Sequence, residues 1–489
     1  MKMILCFRGL LVCLLASTVA LAERVPITII QINDIYEISP VASGREGGVA
    51  RLATLKRQLA RQNPKRTFLI LAGDAFSPSA LGAAEIDHQR IDGAHMVAAL
   101  NAAGLDYATF GNHEFDISEE HFHQRIDESR AVWFSGNVRD KDGKPFAKVP
   151  ESVVFAVRGP KGAQVRIGLI GATLPVNSKP WVTYLDTVTT IQQQAKELRP
   201  KVDVLIAVTH QTLEDDQRVA TTVPGLDLIL GGHEHENWEL RRGQQGTPIF
   251  KADDNARSVY VHNLLYNTHT HKLQLTSVLR TITDKMHEDA ATAKVVRAWT
   301  EKGYVAFRAN GFNPEEVVTT ASELLDGKDS SVRKDSNHLT EIVGNAILHE
   351  WPQADAAIYN SGSIRIDDEI PAGSRITQYD VLRILPFGGK VNGVELKGSL
   401  LESVLNIGQK NLGSGGFLHR ANIEPDGTHW KVAGKPLDPK RIYKIALDEF
   451  LLTGKEKDLQ AVMIGAPGVG PVVELRDIRL ALIDELKRR

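Results

Sequence analysis

The chain has 489 residues, 42% hydrophobic and 24% charged, with 58 Lys and Arg against 60 Asp and Glu and only two cysteines. That composition excludes disordered and collagen-like chains, and the near-neutral charge argues against a dedicated nucleic-acid binder, which carries a basic excess. Two cysteines exclude a disulfide scaffold or a Cys-rich zinc module, and the length predicts two or three domains, each able to bury a core.

Residues 1–22 read as an export signal. Lys2 and Arg8 give a positive start, residues 9–15 are apolar, and Ala20-Leu21-Ala22 places small residues where a signal peptidase reads. The apolar core is too short for a bilayer span, and Glu23-Arg24 follows without a stop-transfer pattern. Cleavage after Ala22 removes Cys6 and Cys13 together. Residues 475–489 read as a charged amphipathic helix rather than an anchor signal. The expected product is periplasmic or secreted, thiol-free and without a membrane anchor.

Further along the chain one design repeats. Residues 27–32 run into Asn33-Asp34, residues 68–72 into Gly73-Asp74, and residues 107–110 into Gly111-Asn112-His113. Residues 202–209 stop at His210, and residues 226–230 run into Gly231-Gly232-His233-Glu234-His235. Short apolar runs bounded by turn residues predict buried strands. Residues 49–62 and 91–103 predict helices between them, hence α/β layering with functional groups beyond the carboxyl ends of the strands. Asp34, Asp74, Asn112, His210, His233 and His235 would then meet at one edge. Such a set without Cys suits Mn, Zn, Fe or Co. A shared carboxylate can bridge two ions roughly 3.5–4 Å apart, an arrangement that clamps both oxygens of a phosphoryl displacement. Any one of these residues alone is an ordinary strand-end turn residue; the agreement of five strand ends carries the reading. His121 and His123, on a helix, and His269 and His271, at a hairpin tip, read as non-ligands.

These motifs, Gly111-Asn112-His113-Glu114-Phe115-Asp116 above all, resemble the ordered motifs of calcineurin-like metallophosphoesterases. Asn360-Ser361-Gly362-Ser363-Ile364-Arg365, followed by Leu385-Pro386-Phe387-Gly388-Gly389, resembles the nucleotide-binding domain of exported bacterial 5′-nucleotidases. The resemblance implies a four-layer αββα sandwich over residues 23–286, a linker helix over 287–309 and a separate α/β substrate-binding domain over 310–489. It implies two divalent ions, with Asp34, Asp74 and His235 on one. Asp74 would bridge to a second held by Asn112, His210 and His233. His113 with Asp116 would be the catalytic dyad, and a metal-bound hydroxide the nucleophile. Asn360 and Arg365 would contact substrate, the arginine pairing phosphate oxygens with its planar fork. Arg333 lies near a further arginine of the family, and Phe387 and Phe450 match the aromatics that sandwich the base.

The sequence also departs from that pattern. The first motif normally reads Asp-x-His, and here it is Asp34-Ile35-Tyr36. Tyr36 as a phenolate would favour Fe(III); turned away, it would leave a looser site completed by water. Glu456 stands where the family places an Asp on the ribose, flanked by Lys455 and Lys457 instead of small residues. The leading expectation is an exported dinuclear 5′-nucleotidase releasing phosphate from nucleoside 5′-phosphates, with no nucleic-acid polymer as partner. Its rivals are a 2′,3′-cyclic-nucleotide phosphodiesterase and a nucleotide-sugar or dinucleotide pyrophosphatase. Tyr36 motivates one reading of another class, a nucleotide-binding protein without turnover.

Overall fold

The computed structural model describes residues 23–176, 179–456 and 458–489; the export-signal segment lies outside them. Four apolar runs, Arg24–Ile32, Thr67–Ala72, Tyr107–Thr109 and Val132–Trp133, pair in parallel, and the hairpin Ser258–Asn267/Lys272–Thr281 adds antiparallel to the first of them. A second sheet has Gln164–Thr173, Val204–His210, Leu228–Gly232 and Thr247–Lys251 in parallel, with antiparallel edges Ser152–Arg158 and Trp238–Arg242. Ile27, Ile29 and Ile70 of the first sheet pack on Leu169, Ile206, Val208 and Phe250 of the second. Helices Val49–Gln62 and Ala94–Ala103 cover one outer face, and Thr187–Leu198 and Leu213–Thr222 the other. The result is an αββα sandwich. Asp186 and Thr212 cap the last two helices by accepting from Thr189 N–H and Asp215 N–H. The helix expected from residue 91 begins at Ala94, because Gly93, at φ 80°, breaks it.

A buried polar stitch fixes how the two sheets face each other. The Gln31 amide donates to the carbonyls of Gly231 at 2.9 Å and Phe250 at 2.8 Å. Its oxygen faces His262 Nε2 at 3.0 Å, and burial lowers that imidazole's pKa to about 3, keeping it neutral. Since Gly231 opens the motif that carries His233 and His235, this stitch sets their height above the strand ends of the first sheet.

Helix Ala290–Ala309, capped by Asp289, packs against Ala94–Ala103 and reaches the second half through Tyr304, whose ring centre lies 5.2 Å from that of Tyr379. The C-terminal half is built on a mixed sheet in the order Leu418–Ala421, Ala356–Asn360, Ile442–Asp448, Lys390–Lys397, Val469–Asp477. Helices His338–Glu350 and Ile478–Lys487 cover one face, and Gly398–Lys410 the other. The helix expected over residues 475–489 starts only at Ile478. Residues 475–477 finish an edge strand against Lys390–Lys397, and Asp477 then caps the helix. One apolar layer continues from Phe76 and Leu81 of the sandwich through Phe307 and Phe312 to Ile384 and Leu385 of the C-terminal half. No described helix is long and apolar enough to cross a membrane.

Candidate active site

Parallel pairing in both sheets brings the carboxyl ends of Arg24–Ile32, Thr67–Ala72, Tyr107–Thr109, Val204–His210 and Leu228–Gly232 to one edge. The backbone there is tightly turned. Asp34 (φ 53°), Asp74 (φ 59°), His233 (φ 85°) and His235 (φ 58°) all adopt the left-handed conformation. Each such residue costs roughly 1–3 kcal/mol and persists only where its surroundings over-determine it. Those surroundings are visible. Asp34 N–H donates to Gly73 O at 3.0 Å and Ile35 N–H to Asp74 O at 2.8 Å, tying the first two loops together. The Asp34 carboxylate accepts from Asn33 Nδ2 at 2.8 Å and His233 N–H at 2.9 Å, and Asp74 accepts from His113 N–H at 2.8 Å. Glu114, inside the most specific motif, accepts from the N–H groups of Asp74, Ala75, Phe76 and Gly111 at 2.5–3.3 Å. Burial, with Asp74 beside it, pushes the Glu114 carboxyl up to about 7 against the pull of those N–H groups.

Asp34, Asp74 and His210 offer ligand atoms within 4.8 Å of one another, all buried. His210 Nδ1 lies 2.8 Å from Ala72 O, to which it donates, so Nε2 faces the carboxylates, 3.1 Å from Asp74 Oδ2. Two buried polar atoms, His210 Nε2 and Asn112 Oδ1, lack a hydrogen-bond partner of good geometry. Buried carboxylates need cationic partners, and unsatisfied N and O donors beside them suit a divalent ion. The donor set fits the metals that the sequence implies. Burial alone would lower the His210 pKa, yet Asp74 and Asp34 raise it to about 9, a measure of the negative field at this edge. His233 lies beside His210 with ring centres 5.3 Å apart, and His235 Nε2 lies 3.2 Å from Asp34 Oδ1.

Tyr36 points into the cluster rather than away. Its hydroxyl lies 3.0 Å from Asp74 Oδ2, 3.1 Å from Asp34 Oδ1 and 3.1 Å from His235 Nε2. Burial and the two aspartates hold its pKa well above the usual phenol value, so it stands as a protonated donor unless a cation replaces the proton. His113 Nδ1 lies 2.5 Å from Asp116 Oδ2, and Lys179 Nζ is 3.6 Å from the other carboxylate oxygen. Burial would raise the Asp116 pKa, but His113 and Lys179 hold it below the usual range, so an ionised carboxylate orients the imidazole.

A cavity of about 1230 Å³ opens between the halves, with Asp74, Asn112, His113, Asp116, His233 and His235 on one wall. Asn360, Arg365, Phe387, Phe450, Arg333 and Glu456 line the other. Phe387 and Phe450 are 49% and 42% exposed, far more than core packing would leave them. The Arg365 guanidinium sits 5.7 Å from the Phe387 ring centre and donates through Nε to Gly362 O at 2.8 Å. Arg333 pairs with Asp329. Asn360 Nδ2 donates to Glu456 Oε2 at 3.0 Å, which ties the residue in the ribose position to the Asn-Ser-Gly-Ser turn. The Ser363 hydroxyl lies 2.7 Å from both Asn360 Oδ1 and Asp448 Oδ2. Asp34, Tyr36 and His210 lie beneath the cavity, fully or almost fully buried.

Three participants escaped the sequence reading. Asp367 bonds His235 Nδ1 from the C-terminal half; its only signal was a carboxylate two residues past Arg365. Lys179 gave none, because its approach to Asp116 is purely tertiary. Asp448 sits at a strand end like the aspartates of the first half, two residues before Phe450, and that pattern could have drawn it out.

Residues 27–237 match the family model of calcineurin-like phosphoesterases. With this site on this fold, the chain is a metal-dependent phosphoester hydrolase, and the reading without turnover falls. Residues 317–462 match the model of the 5′-nucleotidase C-terminal domain, and the chain belongs to the two-domain 5′-nucleotidase family. Protein UshA of Yersinia enterocolitica is 25% identical, over 88% of this chain and 85% of its own. The human 5′-nucleotidase is 25% identical, over 84% of this chain and 79% of its own. Among solved structures, a 5′-nucleotidase precursor from Thermus thermophilus superposes with a TM-score of 0.76 at 21% identity, covering 95% of this chain and 96% of that one.

Proposed function

We propose that the protein is an exported dinuclear 5′-nucleotidase that hydrolyses nucleoside 5′-monophosphates. The observation that carries this reading is the pair of half-exposed rings, Phe387 and Phe450, lining the same cavity as His113. A base between those rings would place its 5′-phosphate toward Arg365, with Arg333 on the same wall. Asp34, Asp74 and His235 would hold one ion, and Asp74, Asn112, His210 and His233 the other. Bound ions would supply charge neutralisation at the phosphoryl oxygens and activation of a water. His113, oriented by ionised Asp116, would stabilise charge on the leaving 5′-oxygen and deliver its proton as the phosphorus–oxygen bond breaks, giving nucleoside and phosphate. Domain limits at residues 23–286 and 310–489, joined by the helix between them, belong to the same reading.

A second reading has a specific support. Lys179, Lys334 and Lys455 line the cavity together with Arg90, Arg333 and Arg365, cationic groups that could meet the further phosphates of a di- or triphosphate. The test is phosphate release from AMP, ADP, ATP, a 2′,3′-cyclic nucleotide and UDP-glucose with Mn, Zn, Co and Fe in turn. AMP is expected to lead in kcat/KM; a cyclic nucleotide or UDP-glucose in the lead would reject the nucleotidase reading. Asp74→Asn is expected to abolish turnover of every substrate. Export is supported by the residue pattern before Glu23, which is itself buried and accepts from Lys161 N–H and Ala163 N–H. N-terminal sequencing of the exported product should begin at Glu23.

A further inference from the structure

His235 carries the second notable contact of the site on its far nitrogen. Nε2 faces Asp34 and Tyr36, while Nδ1 bonds Oδ2 of Asp367, a residue of the C-terminal half. Asp367 is buried and in the left-handed region at φ 41°. Its other oxygen accepts from Asp329 N–H at 2.7 Å, so its orientation is fixed independently of His235. The next residue, Asp368, reaches back to the sandwich: it accepts from Ala42 N–H at 3.1 Å and pairs with Arg383 at 3.2 Å. Arg383 lies 3.5 Å from Glu37, which also accepts from Tyr379 OH at 2.9 Å. A contiguous acidic pair on the C-terminal half thus grips the sandwich at two places, one of which is an imidazole in the ligand cluster.

We propose that Asp367 is a positioning residue that fixes the tautomer and ring orientation of His235, so that ion retention in the N-terminal site depends on the docked C-terminal half. This role rests on His235 being a ligand, as in the function proposed above. An ionised carboxylate at Nδ1 holds the proton on that nitrogen and leaves Nε2 with its lone pair toward Asp34, the form an imidazole must have to ligate. The contact crosses between the halves, so it also links two equilibria. Whatever docks the C-terminal half tightens the ion, and by reciprocity the ion favours the docked state.

Direct Zn(II) titration of the full mature chain against a chromophoric chelator tests this without reference to turnover. Asp367→Ala is expected to weaken one of two ions 10–100-fold, the usual effect of losing such a partner. Asp367→Asn is isosteric, yet the Asp329 N–H holds its amide oxygen and turns its NH2 toward Nδ1. That favours the tautomer with the proton on Nε2, so this variant should bind at least as weakly as the alanine one, an order a merely structural role would not give. His235→Ala should lose the same ion, and His235→Ala/Asp367→Ala should lose no more than His235→Ala alone. Thermal melts of the metal-free proteins establish that each variant folds; should the alanine variant fail there, the asparagine variant decides. Wild-type affinity in both Asp367 variants alongside a weak His235→Ala, or additive losses in the double variant, would overturn the proposal and leave the ligand assignment standing. Wild-type affinity in His235→Ala would overturn both.

Discussion

The hydroxyl of Tyr36 stands about equally far from Asp34, Asp74 and His235, where the family pattern places an imidazole. A buried phenol beside two carboxylates keeps its proton, and only a strongly polarising ion would displace it. Should Tyr36 ligate, protein purified without added metal will contain iron and show a visible phenolate-to-iron absorption that Tyr36→Phe removes. Two zinc ions, no such band and no gain in activity from Fe or Mn would leave Tyr36 a simple hydrogen-bond donor. His113→Ala should lower kcat by about 10²–10⁴-fold, the usual worth of a positioned acid or base, and Asp116→Ala in that background should add little. A third residue sets a pH dependence of stability. Burial, with Glu456 adding to it, raises the Asp448 carboxyl from 3.8 to about 7, so the folded state favours the protonated form. Its contribution is complete below about pH 4 and is lost as the pH rises through about 7, fading by roughly 1.4 kcal/mol for each pH step of one in between. Chemical denaturation should accordingly find Asp448→Asn no more stable than wild type at pH 4 and more stable at pH 8.

At the scale of elements, the strand ends carry the site because the loops beyond them nearly touch. A Cβ on Gly73 would come within 2.5 Å of His210 Nδ1 and 2.6 Å of Gly111 N, at a φ of 83° that side chains rarely adopt. Gly73→Ala should cost a few kcal/mol by thermal melt, on the order of 1–3 for backbone strain plus the clash, and should lose metal by elemental analysis. Gly143→Ala is the control: its φ of 75° is strained too, but nothing lies within 4 Å, so it should lose stability and keep its ions. The five strands were legible because apolar β-branched runs stop abruptly at Asp, Asn, Gly or His, and covered parallel sheets demand that pattern. Glu114 was quoted in its motif, but its grip on four N–H groups depends on how two loops approach, and no local pattern encodes that. Residues 475–477 misled for a related reason: an edge strand continuing into a capped helix shares its charged, amphipathic composition.

For the whole molecule, two halves far apart in sequence supply opposite walls of one cavity. The residues of each wall were readable from motifs, with the resemblance giving the substrate side almost entirely, since Phe387 or Phe450 alone would pass for core. Asp367 and Lys179 were not readable, because each meets its partner only in the folded chain, Asp367 across the two halves at His235 and Lys179 within the sandwich at Asp116. The continuous apolar layer through Phe76, Leu81, Phe307, Phe312, Ile384 and Leu385 has a bearing on recombination. Exchanging the C-terminal half for that of a relative about a quarter identical would replace one side of that layer without the other, leaving voids or overlaps along it. Active chimeras should arise only when the residues facing both sides of that layer travel together, a linkage that activity and melting of exchanged halves with and without the matching layer residues would reveal.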